Sequence, residues 1–246
     1  MSRAEPVSAP PVIELRQYTL HTGRRDELVE LFDRELVETQ EATGMTILGQ
    51  FRDLDDPNRF VWLRGFSDMD TRHRALTAFY GGPVWAEHAH RANATMVDSD
   101  DVLLLRPLAA GSGPAVRPSE RPPFGTPASD RFVSADVWSF PLGRHEGPAA
   151  IRDRLVPVLC ETGPAPLAVL GTESAHNTFP GLPVRTGENV AVVLTSYPDE
   201  SAHRRHVAES RAHPVARDEI LPAIEREGIA PVRTLRLTPT GRSLVS

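Results

Sequence analysis

Hydrophobic and polar positions alternate with a period of two over residues 12–20, where Ile13 and Leu15 interleave with Glu14, Arg16 and Tyr18, and this alternation predicts a strand. The period then lengthens. Over 23–43, Leu28, Leu31, Phe32 and Leu36 recur on one helical stripe, and Gly44 stands where a C-cap belongs. Strands follow at 45–53 and 59–66 across the turn DLDDPN, then a helical region at about 69–94 interrupted by GGP at 81–83, then a strand at 101–107.

The same order returns in the second half. Strands are expected near 132–140, 166–175, 189–197 and 232–238, with helices near 145–162 and 199–227, the latter broken by Pro214 and Pro222. The two halves align in three places. YTLHTGRRDEL, from Tyr18, lies on WSFPLGRHEGP, from Trp138, so Gly23 meets Gly143 and Arg24 meets Arg144. FVWLRGFSDMDTRHRAL lies on AVVLTSYPDESAHRRHV, pairing Phe66 with Tyr197 and Asp68 with Asp199, and DVLLLRP echoes VRTLRLTP. Three matches in one order mark an internal duplication. The segment between them, rich in Pro, Gly and Ser, reads as an exposed linker, giving a loose tail at 1–11, a repeat at 12–108, a linker at 109–131 and a second repeat at 132–240.

Each half reads strand, helix, strand, strand, helix, strand, which is the α+β, ferredoxin-like βαββαβ unit. Such a unit covers one sheet face with helices and leaves the other bare. Two units in one chain can pack sheet to sheet and close a barrel-like sandwich. On 59–66, Val61, Leu63 and Gly65 are small and suit the helix side, whereas Phe60, Trp62, Arg64 and Phe66 suit a cavity. Glu14, Arg16 and Tyr18 fall on that same cavity side if Ile13 and Leu15 meet the helices. The second half contributes Ser134, Asp136 and Trp138, with Val193, Thr195 and Tyr197. The expected site is therefore a shared hollow between the sheets.

Aromatic walls with a few charges are the composition of a small-molecule pocket. Arg16 and Arg64 would anchor a carboxylate or enolate; Tyr18, Trp62, Phe66, Trp138 and Tyr197 would line the body; Glu14, Asp136 or His88 would move a proton. A competing reading makes Glu14, Arg16 and Asp136 a buried ion network that only holds the sheets in register.

Composition narrows the chemistry further. All 27 basic residues are arginine, so Schiff-base, pyridoxal-phosphate and Walker-lysine chemistry are excluded. A net charge of -6 gives no case for nucleic acid or an anionic membrane, and the absence of a spanning or signal-like run leads to an expectation of a cytoplasmic protein. One cysteine, Cys160, excludes an internal disulfide and reads as a small buried hydrophobe. His88 and His90 diverge on a helix, and His203 and His206 sit among arginines, so no metal is expected from either pair. No GxSxG, HExxH, GxGxxG or CxxC pattern is present.

With ELRQYTL, GQFRDLDDPNRFVWLRGF, AFYGGPVWAEH and ANATMVDSDDVLLLRP in view, residues 12–108 resemble the NIPSNAP family. Residues 132–238 resemble it only through the degenerate repeat, SAHNTFPGLPVRTGEN standing where RDLDDPNRF would be. The resemblance implies the dimeric α+β barrel superfamily, here as a pseudo-dimer within one chain. That superfamily includes cofactor-free monooxygenases, lactone isomerases, polyketide cyclases and haem-binding enzymes, while mitochondrial relatives are linked to vesicle traffic and mitophagy signalling. The leading expectation is a cofactor-independent enzyme or binding protein for a small, partly apolar molecule, acting by isomerisation, cyclisation or oxygenation. Its rivals are a non-catalytic scaffold and a haem-binding barrel. Homo-oligomerisation is left open.

Overall fold

The alternation over 12–20 produces β1 (Val12–Leu20), and the helical stripe after it produces α1 (Arg25–Leu31) and α2 (Val37–Glu41), joined without a break by a π-turn at Phe32–Leu36. These elements belong to a computed structural model that describes residues 10–144, 146–226, 229 and 232–246. Most of the expected loose tail, residues 1–9, lies outside the described residues. So do His145 and residue 227, the expected limits of two helices.

The first repeat continues with β2 (Thr46–Asp53), β3 (Arg59–Phe66), α3 (Met69–Tyr80), α4 (Pro83–Asn93) and β4 (Met96–Pro107). The second comprises β5 (Phe132–Ser139), α5 (Glu146–Ala150), α6 (Val156–Thr162), β6 (Ala168–Thr172), β7 (Val190–Tyr197), α7 (Glu200–Ala212), α8 (Leu221–Arg226) and β8 (Arg233–Pro239). Pro214 falls in the break between α7 and the following π-turn at Ala216–Ile220. The aligned positions share physical roles. Gly23 and Gly143 both take a positive φ, at 76° and 79°, a backbone that disfavours a side chain. Asp68 and Asp199 both cap a helix, accepting from the backbone N–H of Thr71 and of Ala202.

The eight strands close into one antiparallel barrel, ordered β1-β3-β2-β8-β5-β7-β6-β4. Closure occurs at two seams between the repeats, where Phe51 pairs with Pro239 and Leu105 pairs with Thr172. Bare sheet faces thereby turn toward each other, and helices cover the barrel's outside. The linker is more than an exposed tether: Val116 is buried in the barrel core, as is Val245 near the C-terminus. Among the described residues, no helix is long and apolar enough to cross a membrane.

The lumen is solid. Ile13, Leu15, Val61 and Leu63 of the first repeat meet Val133, Ala135, Val192 and Leu235 of the second in one aliphatic cluster. This reverses the expected facing of β1 and β3. The lumen of an eight-stranded barrel is just wide enough for side chains to fill, so it takes the small aliphatic set. The large and charged set goes outward, beneath the helices.

Candidate functional site

In the antiparallel register of β1 and β3, Glu14 lies opposite Arg64, Arg16 opposite Trp62 and Tyr18 opposite Phe60. Their outward faces are covered by α1–α4, with Leu28, Phe32, Leu36 and Phe79 packed against Tyr18, Trp62 and Phe66. The ELRQY side chains are thus buried together, between sheet and helices rather than between the two sheets.

Glu14 is the hub. Arg16 Nη1 donates to its Oε2 at 2.6 Å, Arg64 Nε to Oε2 at 2.8 Å, and Arg72 Nε to Oε1 at 2.6 Å. All four side chains are 0% exposed. Arg72, absent from the sequence-based set, enters from α3 on the buried face that also carries Ala75, Leu76 and Phe79. An arginine on that apolar stripe was its signal.

Three guanidinium groups facing one carboxylate leave two positive charges unmatched by any hydrogen-bonded acid among the described residues. Other acceptors are neutral. Arg16 Nε donates to the Tyr18 hydroxyl at 3.0 Å, Arg64 Nη1 reaches Gln40 Oε1 at 3.4 Å, and Arg72 Nη1 donates to Asn177 Oδ1 at 2.9 Å. The indole of Trp62 lies beside both cations, 5.6 Å from the Arg16 guanidinium carbon and 5.1 Å from that of Arg64. Three buried donors, Arg16 Nη2, Arg72 Nη2 and Trp62 Nε1, have no hydrogen-bond partner among the described residues.

The charges set the protonation states. Burial opposes ionisation of Glu14, but Arg64, Arg16 and Arg72 together outweigh it and hold the carboxyl well below the usual range. A carboxylate so stabilised is a poor proton acceptor. Burial raises the Tyr18 phenol despite the adjacent Arg16, so Tyr18 stays protonated and can donate.

Beside the cluster lies a cavity of about 20 Å³ lined by Tyr18, Gln40, Trp62, Phe79, Tyr80 and Trp85. It is sized for roughly one water. Its cover is thin: Ala92 is the one buried side chain of α4, and Gly81 and Gly82 join that helix to α3. A loop of the second repeat overlies this region. Phe179 stacks on Tyr80 with ring centroids 5.9 Å apart, and the Thr178 carbonyl meets His73 Nδ1 at 2.6 Å.

The remaining expected site residues are elsewhere. His88 is on α4, 3.8 Å from Glu35 at the partly exposed outer side of the helix layer, with no contact to the Glu14 cluster. Asp136 and Trp138 face the second repeat's helices. There Trp138 packs with Ile151, Leu155 and Val193, while Asp136 accepts from Thr234 and Ser134. Tyr197 is in that layer too, its hydroxyl 2.9 Å from His206 Nδ1. Two helix-covered layers on separate parts of the barrel wall replace the single expected hollow, because each βαββαβ unit keeps its outward residues under its own helices. Cys160 is exposed, not buried.

This architecture defines a class: two βαββαβ repeats fused into one α+β barrel. Residues 13–110, nearly the whole first repeat, match the NIPSNAP family model. No curated protein matches the chain. Solved structures share the whole fold at low identity. An anthrone oxidase-like protein superposes with a TM-score of 0.61 at 12% identity, covering 96% of this chain and 94% of its own. A candidate monooxygenase from Fusobacterium nucleatum gives 0.56 at 11%, covering 95% and 94%, and one from Lactobacillus acidophilus gives 0.56 at 13%, covering 96% and 99%.

Proposed function

We propose that the first repeat binds a small, partly apolar organic molecule that is, or becomes, an anion, at the Arg16, Arg64 and Arg72 cluster between sheet and helices. The observation that carries this reading is the excess of buried cations, with Arg16 Nη2, Arg72 Nη2 and Trp62 Nε1 given no hydrogen-bond partner by the described residues. A carboxylate, enolate or phenolate oxygen would satisfy such donors. The aromatic lining of Tyr18, Trp62, Tyr80 and Trp85 suits the body of the molecule, and Phe66 backs Arg64 at 5.6 Å. Because about 20 Å³ holds only a water-sized group, binding requires α4 to move outward.

Stabilising an oxyanion in a dry site is the contribution that enolate-based isomerisation, cyclisation and cofactor-independent oxygenation share. In this reading Arg16 and Arg64 hold the oxyanion, Tyr18 supplies a proton, and Glu14 serves as counter-ion. The fold neighbours named as an anthrone oxidase-like protein and as monooxygenases fall within this range of chemistry. Neither His88 nor Asp136 reaches this cluster. For the haem alternative, His206 is not a free axial donor, since both its ring nitrogens are engaged, by Tyr197 and by the Leu159 carbonyl.

One observation favours a second reading, a non-catalytic scaffold: the barrel lumen is filled by aliphatic side chains. Arg16→Met separates the two. With 2-naphthoate as probe and calorimetry as readout, the ligand-site reading expects binding to the parent chain, at least tenfold weaker binding to the variant, and a retained fold. Unchanged affinity, or a parent chain that binds no naphthoate, overturns it in favour of the scaffold.

A further inference from the structure

The strands β6 and β7 are joined by residues 173–189, whereas β2 and β3 of the first repeat turn within 54–58. The longer loop is tied to β4 near both ends: Glu173 N donates to the Leu104 carbonyl at 2.9 Å, and Arg185 N to the Val102 carbonyl at 2.9 Å. Between these ties it reaches α3. Thr178 Oγ1 donates to the Met69 carbonyl at 3.2 Å, and Asn177 Oδ1 accepts from Arg72 Nη1 at 2.9 Å.

The Asn177 carboxamide is itself locked. Its Nδ2 donates to the Leu182 carbonyl at 3.0 Å and its Oδ1 accepts from the Phe179 N–H at 3.1 Å, so the oxygen is the atom that faces Arg72. Arg72 is thereby held on two nitrogens, Nε by Glu14 and Nη1 by Asn177, with Thr178 Oγ1 3.3 Å from the same Nη1. The guanidinium is planar, so these partners also set the direction of Nη2, the donor for which the described residues provide no partner.

The charge of the acceptor matters as much as its position. The loop contains two acids, Glu173 and Glu188, and both are engaged away from Arg72: Glu173 Oε1 accepts from Ala175 N at 2.8 Å, and Glu188 Oε1 from Arg185 Nε at 2.9 Å. A carboxylate at position 177 would make a bond to the guanidinium about twice as strong. It would also cancel one of the two surplus positive charges. The neutral amide satisfies the nitrogen and leaves the charge in place.

We propose that Asn177 is a positioning residue for the first repeat's site, a neutral acceptor lent by the second repeat that orients Arg72 while preserving the positive charge that selects an anion. The inference rests on the anion-site reading above. It also gives the diverged stretch a task, since the segment that departs from the first repeat's turn is the one that touches the first repeat's cations.

The test titrates 2-naphthoate calorimetrically into the full chain, Asn177→Ala and Asn177→Asp, with circular dichroism to confirm the fold. Aspartate keeps an acceptor for Arg72 and for the Phe179 N–H and adds a charge; alanine loses the acceptor and adds none. A merely structural role makes alanine the more damaging change. The proposed role reverses that order: naphthoate weakens about threefold in Asn177→Ala, the loss of one neutral hydrogen bond, and at least tenfold in Asn177→Asp. Should Asn177→Asp fold poorly, Thr178→Asp brings the same charge to the same Arg72 nitrogen and is expected to weaken naphthoate equally. The proposal is overturned if alanine binds as well as the parent, if alanine is as weak as aspartate, or if the added carboxylate leaves affinity unchanged while Arg16→Met lowers it. A parent chain that binds no naphthoate overturns the site reading and this inference with it.

Discussion

Arg16 and Asp136 occupy the same position in the two repeats, each the fifth residue of its first strand and each facing that repeat's helices. One buries a cation and the other half-buries an acid. The duplication preserved the strand order, the glycine turns and the helix caps, while the buried charge at this position changed sign. Stability and recognition in the two layers should therefore respond oppositely to pH and to substitution.

Glu14→Gln tests the first layer. It removes the one carboxylate that three fully buried guanidinium groups share. Breaking a buried pair by removing one partner costs about 3–5 kcal/mol, and urea denaturation of the variant should show a loss of that order. Since the folded Glu14 is held below its ordinary range, its contribution is present above the unfolded value of about 4.3 and fades only as pH falls through the depressed folded value. The stability gap should thus be flat from neutral to mildly acidic pH and narrow only in strong acid. Added formate should recover part of the loss by supplying the missing anion. A gap below about 1 kcal/mol would show that water, not Glu14, balances the cluster.

Asp136→Asn should act in the other direction. Burial raises the folded carboxyl, so between the unfolded value of about 3.9 and the raised folded value the native state holds the extra proton, and stability falls as pH rises through that window. His203 and His206 face this group and temper the effect, and Ser134 and Thr234 bond it. Asparagine keeps an acceptor for Thr234 without the charge. The variant is expected to melt higher than the parent at neutral pH and to lose that advantage below about pH 4, as read by thermal denaturation across pH. A lower melting temperature at neutral pH would mean that the ionised form is the stabilised one.

Strand order, duplication and the glycine stop at Gly44 were legible because they rest on local signals: period-two alternation, the recurrence of Gly23 as Gly143 and of Asp68 as Asp199, and a glycine at the end of a helical stripe. Which face of β1 lines the lumen was not. Both faces of that strand are buried, so alternation separates Ile13 and Leu15 from Glu14 and Arg16 without saying which set turns inward. The charged set sought a hollow in the sequence reading, whereas the lumen of the closed barrel is filled by an apolar set, aliphatic apart from Phe51. Arg72 carried a faint mark, as a cation at helical spacing with Ala75, Leu76 and Phe79. The covering loop carried none, because its contacts span more than a hundred residues, as in Arg72 to Asn177.

That long-range contact gives the last test. The second repeat's loop pins α3, the helix to which α4 is joined through Gly81 and Gly82, by Phe179 on Tyr80 and by Asn177 on Arg72. An aromatic pair contributes about 0.5–1.5 kcal/mol beyond the area it buries. Removing the ring in Phe179→Ala should therefore raise the open population by roughly tenfold at the upper end of that range. Hydrogen exchange of the α3 amides near Tyr80 is expected to accelerate by that factor while β1 and β3 amides hold their rates, and naphthoate association should quicken with it. If exchange in α3 is unchanged, the loop merely rests on the helix layer and the restraint must lie within α3 and α4 themselves.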